Sequence, residues 1–194
     1  TAVIPELAED STTVEVCVED EVVVTKTAEA SYDRTYDWDL TKEADRTRAV
    51  VGADGTASFE YVVTATPGDY TDTNWTMSGA ITVTNPNDYE EGTVTVTVTD
   101  TTNVGATCAV LDGKNVELAP GATEVFDYSC TFPEQPQYEG TNVAKVTWAG
   151  PDGQTREVSS TEVPVKFTVA EENNKTVEVF DDKVTGAAPG EKLG

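Results

Sequence analysis

The stretch Thr93–Asp100 reads TVTVTVTD, three valines alternating strictly with threonines and ending on an acid. Successive side chains of a strand point to opposite faces, so Val94, Val96 and Val98 share one face and the threonines the other. Three further runs keep the same period: Phe59, Tyr61, Val63 and Ala65; Met77, Gly79, Ile81 and Val83; and Val163, Val165, Phe167 and Val169. Turn signals punctuate the chain at Ala53-Asp54-Gly55, Pro67-Gly68-Asp69, Asn85-Pro86-Asn87, Asp112-Gly113-Lys114, Pro120-Gly121 and Pro151-Asp152-Gly153. Thr and Val make up about a third of the residues while Leu and Ile are scarce, a balance that favours pleated strands. Many short strands and no long segment of helical period predict an all-β fold, an antiparallel immunoglobulin-like sandwich.

The 194 residues carry 12 Lys and Arg against 36 Asp and Glu, a net charge of −24, and no His. So negative a surface repels phosphate backbones and anionic lipid, which argues against nucleic-acid and membrane-surface partners. Without His there is no Ser-His-Asp machinery and no imidazole ligand for a metal. No apolar run is long enough to span a bilayer. The first residues do not read as a signal peptide, so the expectation is a removed leader or a piece excised from a longer protein.

The organisation expected is an acidic lead-in over 1–27, a strand or linker, then one sandwich domain over 28–170, and a strand with a Gly/Pro-rich linker over 171–194. Thr13-Val14-Glu15-Val16 recurs as Thr176-Val177-Glu178-Val179. The recurrence is either chance in a Thr/Val-rich chain or the opening of a further repeat.

Of three cysteines, Cys108 and Cys130 flank a hairpin-like segment at strand positions. A disulfide between them closes a loop worth roughly 3 kcal/mol in the chain-entropy model; the alternative is two buried reduced thiols. Cys17 is left over, as a free thiol or with a partner elsewhere. A disulfide implies an extracytoplasmic setting. Asn74-Trp75-Thr76 and Asn174-Lys175-Thr176 match the glycosylation sequon.

Three apolar rows meet a polar residue. The row Tyr36, Trp38, Leu40 continues to Lys42; Val94, Val96, Val98 continues to Asp100; and Asn142 opens the row Ala144, Val146, Trp148. All three polar side chains are expected to face the core, where each alone is expensive. Burial disfavours charge, so a neutral amine and a protonated acid can coexist there. The amine is then a nucleophile for the amide carbon of Asn142, with Asp100 relaying protons as ammonia leaves. The product is a Lys42–Asn142 isopeptide bond. Lys26, which ends the row Val22, Val24, is the alternative amine, and Asn85, which ends Ile81, Val83, the alternative amide. A plain Lys–Asp ion pair, with Asn142 bonding a nearby turn, is the other reading of the same residues.

The segments ASYDRTYDWDLTKEAD, NPNDYEEGTVTVTVTD and EGTNVAKVTWAG resemble the conserved-repeat, prealbumin-like domains of bacterial cell-surface proteins. Related surface and pilus modules carry an early Lys, a central Asp or Glu and a late Asn. The resemblance therefore implies the roles of Lys42, Asp100 and Asn142 in that order.

Calcium is the one cofactor weighed, at Asp69, Asp72 and Asn74 or at Asp181 and Asp182, and no segment has EF-hand spacing. No metal ligand set is assigned. Trp38 and Trp148 are read as core, and Trp75 as the exposed aromatic. The function expected is that of a structural stalk or repeat module on a bacterial surface, partnered by neighbouring domains of its own chain, and not an enzyme. The alternative is an adhesin that binds a carbohydrate or host protein through the Asp69–Trp75 loop.

Overall fold

The computed structural model describes Val16, residues 18–90 and 92–181, and residues 191–192. The strands in chain order are β1 (Val23–Lys26), β2 (Glu29–Ala44), β3 (Tyr61–Thr84), β4 (Val94–Thr102), β5 (Thr107–Val110), β6 (Val116–Leu118), β7 (Thr123–Thr131), β8 (Glu139–Ala149), β9 (Thr155–Ser159), β10 (Val163–Lys166) and β11 (Thr168–Asn173). A two-residue pair, β12 (Phe180–Asp181) with β13 (Glu191–Lys192), lies apart from them in pairing. Among the described residues there is no helix, and so none long and apolar enough to cross a membrane.

Two sheets bury their facing sides. The first runs β11-β2-β3-β7-β5, with β1 also on β3; the second runs β10-β8-β4-β6, with β9 on β8. Pairing is antiparallel except between β11 and β2, which are parallel. The alternating rows fill the space between. Met77, Ile81, Val83, Phe126 and Tyr128 come from the first sheet; Val94, Val96, Val98, Ala144, Val146, Trp148 and Val165 come from the second. The TVTVTVTD run is β4, paired to β8 over Val96–Thr102 and to β6 over Val94–Val96, so its valines are inside and its threonines outside.

Strands β1 and β2 share one edge of β3. Lys26 pairs with Ile81 and Glu29 with Ser78, and the backbone N–H of Thr27 bonds the Ala80 carbonyl between them. Val22 and Val24 are buried, so the core begins before Ala28, where the sequence starts the domain. Within the acidic lead-in, which the sequence offers as strand or linker, β1 is a strand of the first sheet. At the other end, β11 runs past residue 170 into the expected tail.

The row Phe59, Tyr61, Val63, Ala65 does not face the core: Phe59 and Tyr61 are exposed. Beyond the sandwich, β2 and β3 continue together as a two-stranded ribbon from Trp38↔Pro67 to Ala44↔Tyr61. The Pro67-Gly68-Asp69 signal is accordingly not a turn. It lies within β3 opposite a register shift between Tyr36 and Trp38 on β2, where an irregular pairing absorbs the residues a turn would have used. Trp38 is consequently outside the core, its indole N–H bonding the Asn174 carbonyl at 2.8 Å. Trp75 is partly buried, stacked on Tyr32 and edge-on to Tyr138 and Phe167.

Candidate functional site

Lys26 ends β1, Asp100 lies near the end of β4, and Asn142 lies near the start of β8. Each continues an inward row of its strand, as period two dictates. The register Asp100↔Ala144 and Thr102↔Asn142 places the acid and the amide on adjacent strands of the second sheet. The amine comes across the sandwich from the first sheet.

Lys26 Nζ lies 3.1 Å from Asp100 Oδ1, and both side chains are completely enclosed. The Asn142 side-chain amide donates to Asp100 Oδ2 at 2.7 Å and to the Thr101 carbonyl at 2.9 Å. Both partners are acceptors, which fixes which amide atom is nitrogen. The Lys26 ammonium group also sits over the Tyr128 ring, 4.1 Å from its centroid, and the Tyr128 hydroxyl donates to the Thr27 carbonyl at 2.8 Å. Burial holds the Lys26 amine below its ordinary range, against the opposing pull of Asp100. Burial, and then the charge of Asp100, push the Tyr128 hydroxyl well above its own.

Buried polar groups in native proteins are almost always satisfied. Among the described residues, the enclosed side-chain atoms that make no hydrogen bond are Lys26 Nζ, Asp100 Oδ1 and Asn142 Oδ1. The first two face each other as an ion pair at 3.1 Å. All three atoms belong to one cluster of amine, acid and amide. One carboxyl thus meets the amine at one oxygen and the amide nitrogen at the other, a bridge suited to carrying a proton between them.

The amine here is Lys26. Lys42, the amine favoured by sequence, is exposed on the β2–β3 ribbon, over the Tyr61 ring at 4.6 Å. Leu40 and Lys42 are exposed on the ribbon, so the alternation of Tyr36, Trp38, Leu40 and Lys42 does not report a core face there. Asn85, the alternative amide, is buried but fully engaged. Its amide donates to the Gly92, Leu118 and Ala119 carbonyls, and its oxygen accepts from the backbone and side chain of Asn87. It braces a loop.

Cys108 and Cys130 form a disulfide between the directly paired β5 and β7. Cys17 and Asp182 lie outside the described residues. Of the residues weighed for calcium, Asp72 accepts both nitrogens of Arg34 and the Tyr138 hydroxyl, while Asn74 donates to Asp33. One cluster has metal-ligand spacing among the described residues: Asp100 with Cys108 and Cys130. Its sulfurs are already bonded to each other, so it offers no thiolate pair for a metal.

No family model, no curated protein and no solved structure matches the chain.

Proposed function

We propose that this chain is an immunoglobulin-like structural module of a bacterial surface protein, closed by an isopeptide bond that it makes on itself between Lys26 and Asn142. The observation that carries this reading is the enclosed cluster in which one carboxyl meets the Lys26 amine at one oxygen and the Asn142 amide nitrogen at the other, with Asn142 Oδ1 left unbonded.

The reaction balances within the cluster. The neutral Lys26 amine attacks the Asn142 side-chain carbon, a new C–N bond forms and the bond to Nδ2 breaks. Asp100 takes a proton from the amine at Oδ1 and delivers one at Oδ2 to the departing nitrogen, which leaves as ammonia. Burial lowers the Lys26 pKa against the pull of Asp100, the direction that favours the unprotonated amine. Enclosure in a folded core supplies the proximity. The product replaces a buried amine and a primary amide with one neutral secondary amide.

Such a bond joins the first sheet to the second, which suits a module that bears load. The disulfide favours an oxidising compartment. The charge of −24 on outward positions favours an extended, soluble, displayed protein with neighbouring modules as its partners. The Asp69–Trp75 segment is a weaker candidate for a ligand site, because Asp72 and Trp75 are spent on internal contacts. The deciding experiment is intact mass spectrometry of the folded chain under non-reducing conditions. A mass one ammonia short, restored to full by Asp100→Ala, is expected. Full mass in the folded wild-type protein would sink the reading.

A further inference from the structure

The Asp100 carboxyl has a second neighbour that the crosslinking chemistry does not use. A carboxylate oxygen of Asp100 and the sulfurs of Cys108 and Cys130 all lie within 4.8 Å of one another. Strand β7 turns Phe126, Tyr128 and Cys130 inward in succession, all buried. One strand therefore lays the Tyr128 ring against the amine and the Cys130 sulfur beside the acid. Strand β5, which carries Cys108, is a four-residue edge of the first sheet. The turn after it reaches the second sheet, where the Gly113 carbonyl accepts from the Val98 N–H at 2.6 Å, two residues before Asp100. So short an edge strand pairs with β7 over only its four residues, from Thr107↔Thr131 to Val110↔Tyr128, and the disulfide adds a covalent tie to that pairing.

The geometry points to the Cys108–Cys130 disulfide as a positioning element for the Lys26–Asn142 crosslink, so that the isopeptide bond forms in the oxidised protein and not in the reduced one. The inference rests on the proposed crosslinking function. The effect is one of placement: the disulfide anchors β5, and through Gly113 the strand that bears Asp100. A thiol in the same place could also donate a hydrogen bond to the Asp100 carboxyl and draw it off the bridge between amine and amide, whereas a disulfide has no hydrogen to give. Oxidation by exchange with a small-molecule disulfide takes the two hydrogens from the thiols and reduces that disulfide to two thiols.

The test uses the full chain with Cys17→Ser, made in a reducing cytoplasm, purified with reductant and analysed by alkylation and intact mass. The reduced, folded protein is expected to alkylate at two thiols and to retain its full complement of ammonia. On addition of oxidised glutathione it loses two hydrogens first and one ammonia afterwards. Should the reduced chain not fold, a Cys108→Ala, Cys130→Val variant folded with sucrose is compared with the oxidised chain. It is expected to crosslink at least about tenfold more slowly, a modest part of the ~100-fold that an ångström of misplacement costs. Ammonia lost at the oxidised rate, from reduced protein with both thiols alkylatable or from that variant, overturns the inference and leaves the crosslink standing. An oxidised, folded protein that never loses ammonia overturns both.

Discussion

Lys26 on β1 and Asp100 on β4 meet at 3.1 Å across the two sheets, with neither side chain exposing any surface. Two charges so enclosed are stabilised by each other but have surrendered their water, and replacing such a pair by apolar residues is often neutral or stabilising. Removing one partner is another matter. In a background that cannot crosslink (Asn142→Ala), Asp100→Ala leaves a buried amine alone and is expected to cost about 3–5 kcal/mol. The double replacement Lys26→Met, Asp100→Leu is expected to recover most of that. Urea unfolding of the series gives the coupling directly; additive losses from the two single changes would show that the residues do not act as a pair.

The pH dependence of the same background has a definite sign. The folded Lys26 pKa lies below its ordinary 10.5, so between the two values the unfolded chain binds more protons than the folded one. Stability therefore rises with pH from the lowered value up to about 10.5, the reverse of a lysine stabilised by its ion pair. Other groups titrate nearby, so the measurement is a difference. Asn142→Ala is compared with Asn142→Ala, Lys26→Met from pH ~7 to ~10 by urea unfolding. Parallel curves would contradict the assigned direction.

Gly79 lies on β3 between the stretches that pair with β2 and β1. A Cβ there would collide with the Thr27 carbonyl oxygen and come within 2.9 Å of the Tyr128 ring. Those are the groups joined by the Tyr128 hydroxyl bond, and the ring also covers the Lys26 amine. Gly79→Ala is expected to destabilise by about 1–3 kcal/mol through overpacking. It should also slow ammonia loss, because the strand carrying Lys26 must move. A variant that is destabilised but crosslinks at the wild-type rate would separate Gly79 from the cluster.

The contrast between Lys26 and Lys42 explains how much of this site the sequence could reveal. Asp100 and Asn142 sit on central strands of the second sheet, where strict alternation meets a packed face, and their inward direction follows from period two alone. Both lysines end an alternating apolar row, and alternation cannot say whether a sheet lies opposite. On β2 the register shifts between Ser31 and Asp33 and again between Tyr36 and Trp38. Each irregularity can turn the face a residue presents, so Tyr36 does not foretell Lys42. At β1 and the residue before it, the alternation of Val22, Val24 and Lys26 is weakened because the outward Val23 is also apolar. Cross-sheet contacts, such as Tyr128 over Lys26, depend on how two sheets superpose and leave no mark on either strand's pattern.

Arg34 tests whether the aromatic end of the sandwich is independent of the crosslink. It binds Asp72 through two nitrogens, at 2.7 and 2.8 Å, and lies 3.7 Å over the Tyr70 ring. A lysine keeps the charge but offers neither the planar fork nor the stack. Arg34→Lys is expected to cost about 1–3 kcal/mol, the scale of a hydrogen bond to a charged group. Its mass should still be one ammonia short. Since Asp72 is held below its usual carboxylate range chiefly by Arg34, this contribution is present above the ordinary Asp pKa and is lost as pH falls through the lowered one. An Arg34→Lys protein with wild-type acid stability would refute the assignment.

The route of mechanical load through the fold yields the last prediction. Tension enters at β1 and would pass through the Lys26–Asn142 bond directly into β8, so residues 27–141 would be withheld from extension. The disulfide already withholds the loop between Cys108 and Cys130, so at roughly 3.5 Å per residue the crosslink itself would withhold roughly 330 Å of contour length. The chain beyond Asn142 is held differently. Strand β11 runs parallel to β2 from Thr168↔Ser31 to Asn173↔Thr35. Load arriving ahead of Glu29 and leaving beyond Asn173 pulls the two strands from opposite ends. Their hydrogen bonds, with those from Tyr36 to Glu172 and from Trp38 to the Asn174 carbonyl, must then shear together rather than unzip in turn. Single-molecule stretching of the oxidised protein is expected to show only a short extension for the wild-type module, and one roughly 330 Å longer for Lys26→Ala, whose disulfide still withholds its own loop. Equal extensions in the two proteins would mean that no covalent tie joins the sheets.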